Sequence, residues 1–186
     1  WFGQLCDGQI MRIFSTFLKI SRPHFWLYLA GPWLVGWAIG ANDPSSLGSF
    51  AATGHSPIRM VADQNFWMGF LFFLIPANLF LYGINDFFDG DTDAFNDKKS
   101  EKEHRLHVAE RGGLRWAMLI MLVMAVFYYL TLQGWQVRLL FVVWLALSFF
   151  YSATPIRLKA RPFLDSASNV LYAIPGFLAY FISVGA

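Results

Sequence analysis

Charge is scarce in this chain. Asp, Glu, Lys and Arg make up 14% of its 186 residues, against about 25% in an ordinary soluble domain, while hydrophobic residues reach 56%. That balance excludes a water-soluble globule. It points to an all-α, polytopic transmembrane bundle, because a helix satisfies its own backbone hydrogen bonds in lipid. Cysteine is nearly absent too: the single Cys6 rules out an internal disulfide framework and any zinc site built from several thiolates. A formal net charge of +2 says little by itself, and no nucleic-acid partner is expected. No internal repeat or low-complexity tract is evident. Residues 9–20 have a superficial likeness to a signal peptide, yet no small-residue cleavage site precedes a soluble region. An interfacial amphipathic helix carrying Arg12 and Lys19 is the expected reading. Trp1 in place of Met, and an apolar stretch from Ile174 that still runs at Ala186, lead us to expect a fragment at both ends.

A bilayer core of about 30 Å takes roughly 20 helical residues. Five segments qualify, near 25–41, 66–84, 114–132, 137–153 and 170–184. Pro32, Pro76 and Pro175 fall inside them, which a membrane bundle absorbs with neighbouring groups. Basic residues set the orientation. Arg12, Lys19 and Arg22 precede the first span; Lys98, Lys99, Lys102, Arg105, Arg111 and Arg115 lie between or flank the second and third; Arg157, Lys159 and Arg161 follow the fourth. The other two loops hold only Arg59 and Arg138. This alternation predicts a cytoplasmic N-terminus, an irregular external loop over 41–63 and a cytoplasmic site loop over 86–113. Within that site loop, Lys98 to Glu110 is rich enough in helix formers for a short helix capping a site at the membrane face.

The sequence gathers acids in one place. Asn85-Asp86-Phe87-Phe88-Asp89-Gly90-Asp91-Thr92-Asp93 sets four carboxylates at the end of a long apolar segment, where an ionised Asp must be hydrated, paired or bound to a cation. Asp86, Asp89 and Asp93 recur at three and four residues, the interval that stacks side chains on one helix face. A solvated loop would need no such spacing. A calcium loop starts well at Asp89, Asp91 and Asp93 and then fails, with Ala94 where Gly is required and Ser100 where the bidentate Glu belongs. The remaining reading is a magnesium platform for a diphosphate, since magnesium takes one or two carboxylates together with phosphate oxygens.

The run Asn85-Asp86-x-x-Asp89-x-x-x-Asp93, at the cytoplasmic end of a second span, resembles the first aspartate-rich motif of the UbiA superfamily of intramembrane prenyltransferases. Tyr151-Ser152-Ala153-Thr154-Pro155-Ile156-Arg157-Leu158-Lys159 resembles the loop after the fourth helix in these enzymes, especially in chlorophyll-synthase-type members, and Arg22-Pro23 is similar to the pattern before the first helix. The resemblance implies magnesium held by Asn85, Asp86, Asp89 and Asp93, with Asp86, Asp89 and Lys159 as catalytic groups. It also implies Arg22, Arg157 and Lys159 on the diphosphate of a polyprenyl donor, and Tyr151 at the cavity; Asn78, seven residues before Asn85, is expected on the same cavity-facing side of the second helix. The partners would be that donor, a lipophilic acceptor and membrane lipid, with the site facing the cytoplasm of a prokaryotic cell membrane.

Each assignment has a plainer counterpart. Arg157, Lys159 and Arg161 also fit as positive-inside residues, Arg22 as a headgroup contact and Asn78, two turns before Asn85, as an interhelical hydrogen-bonding group. His24, His55, His104 and His107 show no ligand geometry. Phe70, Phe72, Phe73, Phe80, Phe87 and Phe88 are packing or lipid-facing residues by default. Many quinone-pathway members read Asn-x-x-x-Arg-Pro where this chain has Asn96-Asp97-Lys98-Lys99-Ser100-Glu101-Lys102; that stretch, with Lys159 to Ser166, looks more like the carotenoid-prenylating branch, the lycopene elongases. The expected acceptor is a carotenoid or an aromatic quinone precursor. Asp165 is expected as a branch-specific polar contact or as a cap for a helix beginning near Ser166. The family has nine transmembrane helices and a second aspartate-rich motif after the sixth. Beyond Asp97 the acids here are Glu101, Glu103, Glu110 and Asp165, and they form no such motif. The resemblance therefore covers the whole chain and about half of that fold, and the chain alone is expected to be inactive. The rival classes are a cation transporter or channel, whose acids would sit near mid-membrane or ring a pore, and a non-catalytic membrane scaffold.

Overall fold

The structure, a computed structural model, describes residues 18, 20–43, 62–89 and 111–185. Among these residues there are helices and no strand. We number the helices α1 (Trp26–Ala41), α2 (Gln64–Leu74), α3 (Pro76–Asp89), α4 (Arg111–Thr131), α5 (Trp135–Ser152), α6 (Pro162–Ser168) and α7 (Ile174–Val184). Short 3-10 turns occupy Pro23–Phe25, Leu158–Ala160 and Asn169–Tyr172. The helices form five rods, since α2 continues into α3 and α6 runs through a 3-10 turn into α7. Three of these runs, Gln64–Asp89, Trp135–Ser152 and Pro162–Val184, are long and apolar enough to cross a membrane. The apolar stretch Trp116–Thr131 of α4 is shorter, as is α1 at 16 residues.

Local sequence explains the boundaries. Asp63 caps α2, its carboxylate accepting from the Asn65 amide at 2.7 Å. Pro76 has no N–H to continue the ladder, so the rod breaks at Ile75. Asn78 repairs the break by donating its side-chain amide to the carbonyls of Phe73 at 2.9 Å and Leu74 at 3.0 Å. The fifth rod starts earlier than the sequence suggested, at Pro162, a residue whose ring is set for the first helical turn. Asp86 to Asp89, expected as the start of a loop, form instead the last turn of α3. Arg111 to Gly113, expected as the end of that loop, are the first residues of α4. Residues 90–110, with Asp91, Asp93 and the short helix expected over Lys98 to Glu110, lie outside the described residues, as do residues 44–61 of the external loop and, apart from Leu18 and Ile20, the amphipathic helix expected over 9–20.

Between the helices, packing takes over from hydrophobic drive, because lipid tails are as apolar as the side chains. α1 lies closest to α7, with α2 as its next neighbour, while α3 packs on α4 and α5. The α1–α7 seam depends on small residues. A Cβ on Gly36 of α1 would overlap the backbone carbonyl of Gly176 of α7, and at the neighbouring α1–α2 contact one on Gly69 would overlap the Trp33 ring. Trp33, Trp37, Phe73, Phe141 and Trp144 are fully buried in a single aromatic core. The Trp33 indole donates to the Phe66 carbonyl at 3.2 Å, so its one polar atom is satisfied. Leu119, Val123, Phe127 and Leu130 are exposed along one side of α4, an apolar stripe suited to lipid.

Candidate functional site

The last turn of α3 is where the polar chemistry collects. Helical spacing sets Asn85, Asp86 and Asp89 together at the end of the rod. The C-terminus of α5 contributes Ser152, the turn after it contributes Arg157 and Lys159, and the residue before the first 3-10 turn contributes Arg22. Arg22 Nη2 donates to Asp86 Oδ1 at 2.9 Å. Arg157 Nη2 donates to Asp89 Oδ1 at 2.8 Å, and Lys159 Nζ grips the other oxygen of the same carboxylate. Lys159 Nζ also donates to Asn85 Oδ1 at 2.8 Å, which accepts the Ser152 hydroxyl at 3.0 Å as well. The Arg22 guanidinium stands 5.0 Å from the centre of the Tyr82 ring, where a cation meets the electron-rich face.

Burial makes this pairing necessary. Asp89 is only 8% exposed, and an ionised carboxylate that deep is costly unless it is paired and hydrogen-bonded. The partners are held under strain. Arg22 (φ 48°) and Arg157 (φ 42°) both sit in the left-handed region and both lead directly into a 3-10 turn. Each such backbone costs on the order of 1–3 kcal/mol and persists only where the surroundings over-determine it. Two arginines bent in the same way, each aimed at one carboxylate of the same helical turn, form a paired device.

The donor set fits a magnesium ion. Asn85, Asp86 and Asp89 offer hard oxygens, and a single cation, the Lys159 ammonium, already bridges Asn85 Oδ1 and Asp89 Oδ2. Among the described residues no three Asp, Glu, His or Cys side chains converge as a metal cluster, but two carboxylates suffice for a magnesium that keeps waters and takes substrate oxygens.

Six of the residues singled out in the sequence, Arg22, Asn85, Asp86, Asp89, Arg157 and Lys159, meet in this layer. Asn78 does not. It is fully buried two turns below Asn85, spends its amide on the helix break, and its Oδ1 has no partner among the described residues. Tyr151 stands beside the layer, its hydroxyl donating to Asp165 at 3.2 Å. Asp165 lies within α6, so it does not cap a helix beginning at Ser166. Asp93 falls outside the described residues. His24 is exposed and takes no part. Sequence reasoning missed Ser152 and Tyr82. Each carried a signal: Ser148 and Ser152 repeat at four residues on an otherwise apolar helix, and Tyr82 stands one turn before Asp86 on the same face.

Comparison with known proteins places this geometry in context. The model of the UbiA prenyltransferase family matches residues 44–186. A protein of Haloarcula japonica named lycopene elongase/hydratase is 40% identical over 165 residues, covering 88% of this chain and 50% of its own length. A protein of the same name from Haloferax volcanii is 40% identical over 178 residues, 94% of this chain and 52% of its own. Another, from Corynebacterium glutamicum, is 30% identical over 165 residues, 86% and 50% respectively. The chain spans about half the length of the curated relatives it matches. No solved structure gives a significant match.

Proposed function

The chain belongs to the UbiA prenyltransferase family, and from that premise we propose that the complete protein transfers a prenyl group from a polyprenyl diphosphate to a lipophilic acceptor. The end of α3 and the Arg157–Lys159 turn would form the donor half of its active site. One observation carries the reading: Asp86 and Asp89, one helical turn apart at the end of an apolar rod, are each met by a cation from a distant part of the chain. A structural ion pair needs neither that duplication nor two strained arginines. A site that must receive metal and diphosphate together needs both signs of charge in one small volume.

Magnesium bound through Asn85, Asp86 and Asp89, and through Asp93 as the motif implies, would neutralise the diphosphate as the allylic C–O bond breaks. Lys159 serves a diphosphate oxygen as a point charge, and Arg22 and Arg157 serve as planar forks. Their present carboxylate partners hold them in place before substrate arrives. The apolar helices beneath exclude water from the cation that forms. The acceptor reading rests on the relatives, whose names point to lycopene, and on the Lys159 to Ser166 stretch. The alternation of basic residues supports a cytoplasmic N-terminus with this site facing the cytoplasm. A transporter pathway is disfavoured, because these carboxylates stand at a helix end, closed by cations.

The test uses the complete protein in nanodiscs, supplied with magnesium, lycopene and dimethylallyl, geranyl or geranylgeranyl diphosphate. Diphosphate release and a prenylated product are expected. Asp89→Asn should lower turnover by about 10²–10³ with helix content intact, and unchanged turnover in that variant rejects the metal assignment.

A further inference from the structure

A prenyl transfer that ends in a neutral product must dispose of a proton, and Asp86 and Asp89 are ill-suited to take it because both are committed to cations. The other described carboxylates are Asp43, Asp63 and Asp165. Asp43 follows α1, whose opposite end adjoins Arg22, which places it about 24 Å from the layer and against the Tyr180 hydroxyl. Asp63 caps α2 at the far end of the Gln64–Asp89 run, about 39 Å away. Only Asp165 belongs to the site end. It is half-buried near the start of the Pro162–Val184 run and accepts the Tyr151 hydroxyl at 3.2 Å. Tyr151 in turn directly precedes Ser152, whose hydroxyl donates to Asn85 Oδ1 of the charged layer at 3.0 Å. The phenol thus adjoins the charged layer through the chain and holds a half-buried carboxylate that is not paired to Arg22, Arg157 or Lys159 in that layer.

We propose that Tyr151 is the catalytic residue that removes the proton from the prenylated adduct and that Asp165 is its positioning residue and proton sink. The inference rests on the prenyl-transfer reading above. After the new C–C bond forms, a C–H bond beside the cationic carbon breaks and its electron pair becomes the C=C bond. The proton passes to the Tyr151 oxygen while the Tyr151 hydroxyl proton moves to Asp165 Oδ1. A cation and a carboxylate become a neutral product and a carboxylic acid, and the phenol is regenerated. Asp165 then returns its proton to water. Nothing in this relay requires either metal-facing carboxylate to let go of its partners.

The experiment compares wild type, Tyr151→Phe, Asp165→Asn and Asp165→Glu of the complete protein in nanodiscs with magnesium, donor and acceptor. For Tyr151→Phe and Asp165→Asn, kcat is expected to fall by about 10² or more, the scale of a lost proton-transfer group. KM for the donor should stay within about twofold, because the relay acts after ionisation. A primary deuterium isotope effect should emerge on kcat with acceptor labelled at the carbon that loses hydrogen, and Asp165→Glu should recover much of the rate. Full turnover in Asp165→Asn overturns the proposal. So does a loss that raises KM, shows no isotope effect and is not recovered by Glu, the pattern of a merely structural contact. A wild-type protein that releases no diphosphate from any donor overturns the functional reading itself, and this inference with it.

Discussion

At the Asp89 end of the bundle, side-chain charge decides the structure; along the α1–α7 seam the absence of a side chain does. Asp89 is held by Arg157 and Lys159, and its neighbour Asp86 by Arg22. Gly36 and Gly176 instead let two backbones come together until no Cβ fits between them. The first arrangement is a poor way to gain stability. Desolvating ion pairs commonly offsets their attraction, and two left-handed arginines add strain. The second arrangement is how helices associate in lipid. The comparison teaches a division of labour that the proposed function explains: the seam supports the fold, and the charged layer is a cost in stability that the proposed chemistry would account for.

Substitutions can separate the two. The largest effect is expected from chelating magnesium in the complete protein, which should drop turnover to background while thermal stability changes little, because the layer closes on its own cations. Asp89→Asn follows, with its loss of about 10²–10³, and a melting temperature that is unchanged or higher would confirm that this charge is not kept for stability. Gly36→Ala should do the reverse. Its Cβ meets backbone rather than a movable side chain, so α1 and α7 must part, at about 3 kcal/mol or more, read as a fall in the unfolding midpoint in detergent. If Gly36→Ala left stability intact while Asp89→Asn unfolded the protein, the division of labour would be the wrong way round.

Much of this is legible in the amino-acid sequence. The apolar runs and their basic flanks pointed to five rods, and the Asn85 to Asp93 spacing, the Tyr151 to Lys159 stretch and Arg22-Pro23 pointed to the family and to six of the residues that meet in the charged layer. Partner choice was not legible. Nothing in a linear pattern says that Arg22 meets Asp86 while Arg157 and Lys159 share Asp89, since those residues are brought together only by packing of α1, α3 and α5. Asn78 misled for a related reason. Its spacing from Asn85 marked a shared face, but its amide is spent locally, on the carbonyls of Phe73 and Leu74 at the helix break before Pro76. Asp165 read equally well as a helix cap, and only the fold of the α5–α6 corner brings it to Tyr151.

The smallest effects probe how finely the layer is set. Arg157→Gly removes one of the two cations on Asp89 but also relieves the left-handed backbone at φ 42°, a relief of about 1 kcal/mol. Stability should therefore stay within about 1 kcal/mol of wild type while turnover falls roughly tenfold, the equivalent of about 1.4 kcal/mol in the transition state. Ser152→Ala is gentler still. Asn85 Oδ1 loses one donor and keeps the Lys159 ammonium, so no buried acceptor is orphaned and the expected cost is only about 0.5–1 kcal/mol. That corresponds to a twofold to fivefold slower reaction. A much larger loss would mean that the hydroxyl, and not the ammonium, fixes the Asn85 amide for the metal. The ion-pair layer would then owe its geometry to α5 more than to the Arg157–Lys159 turn.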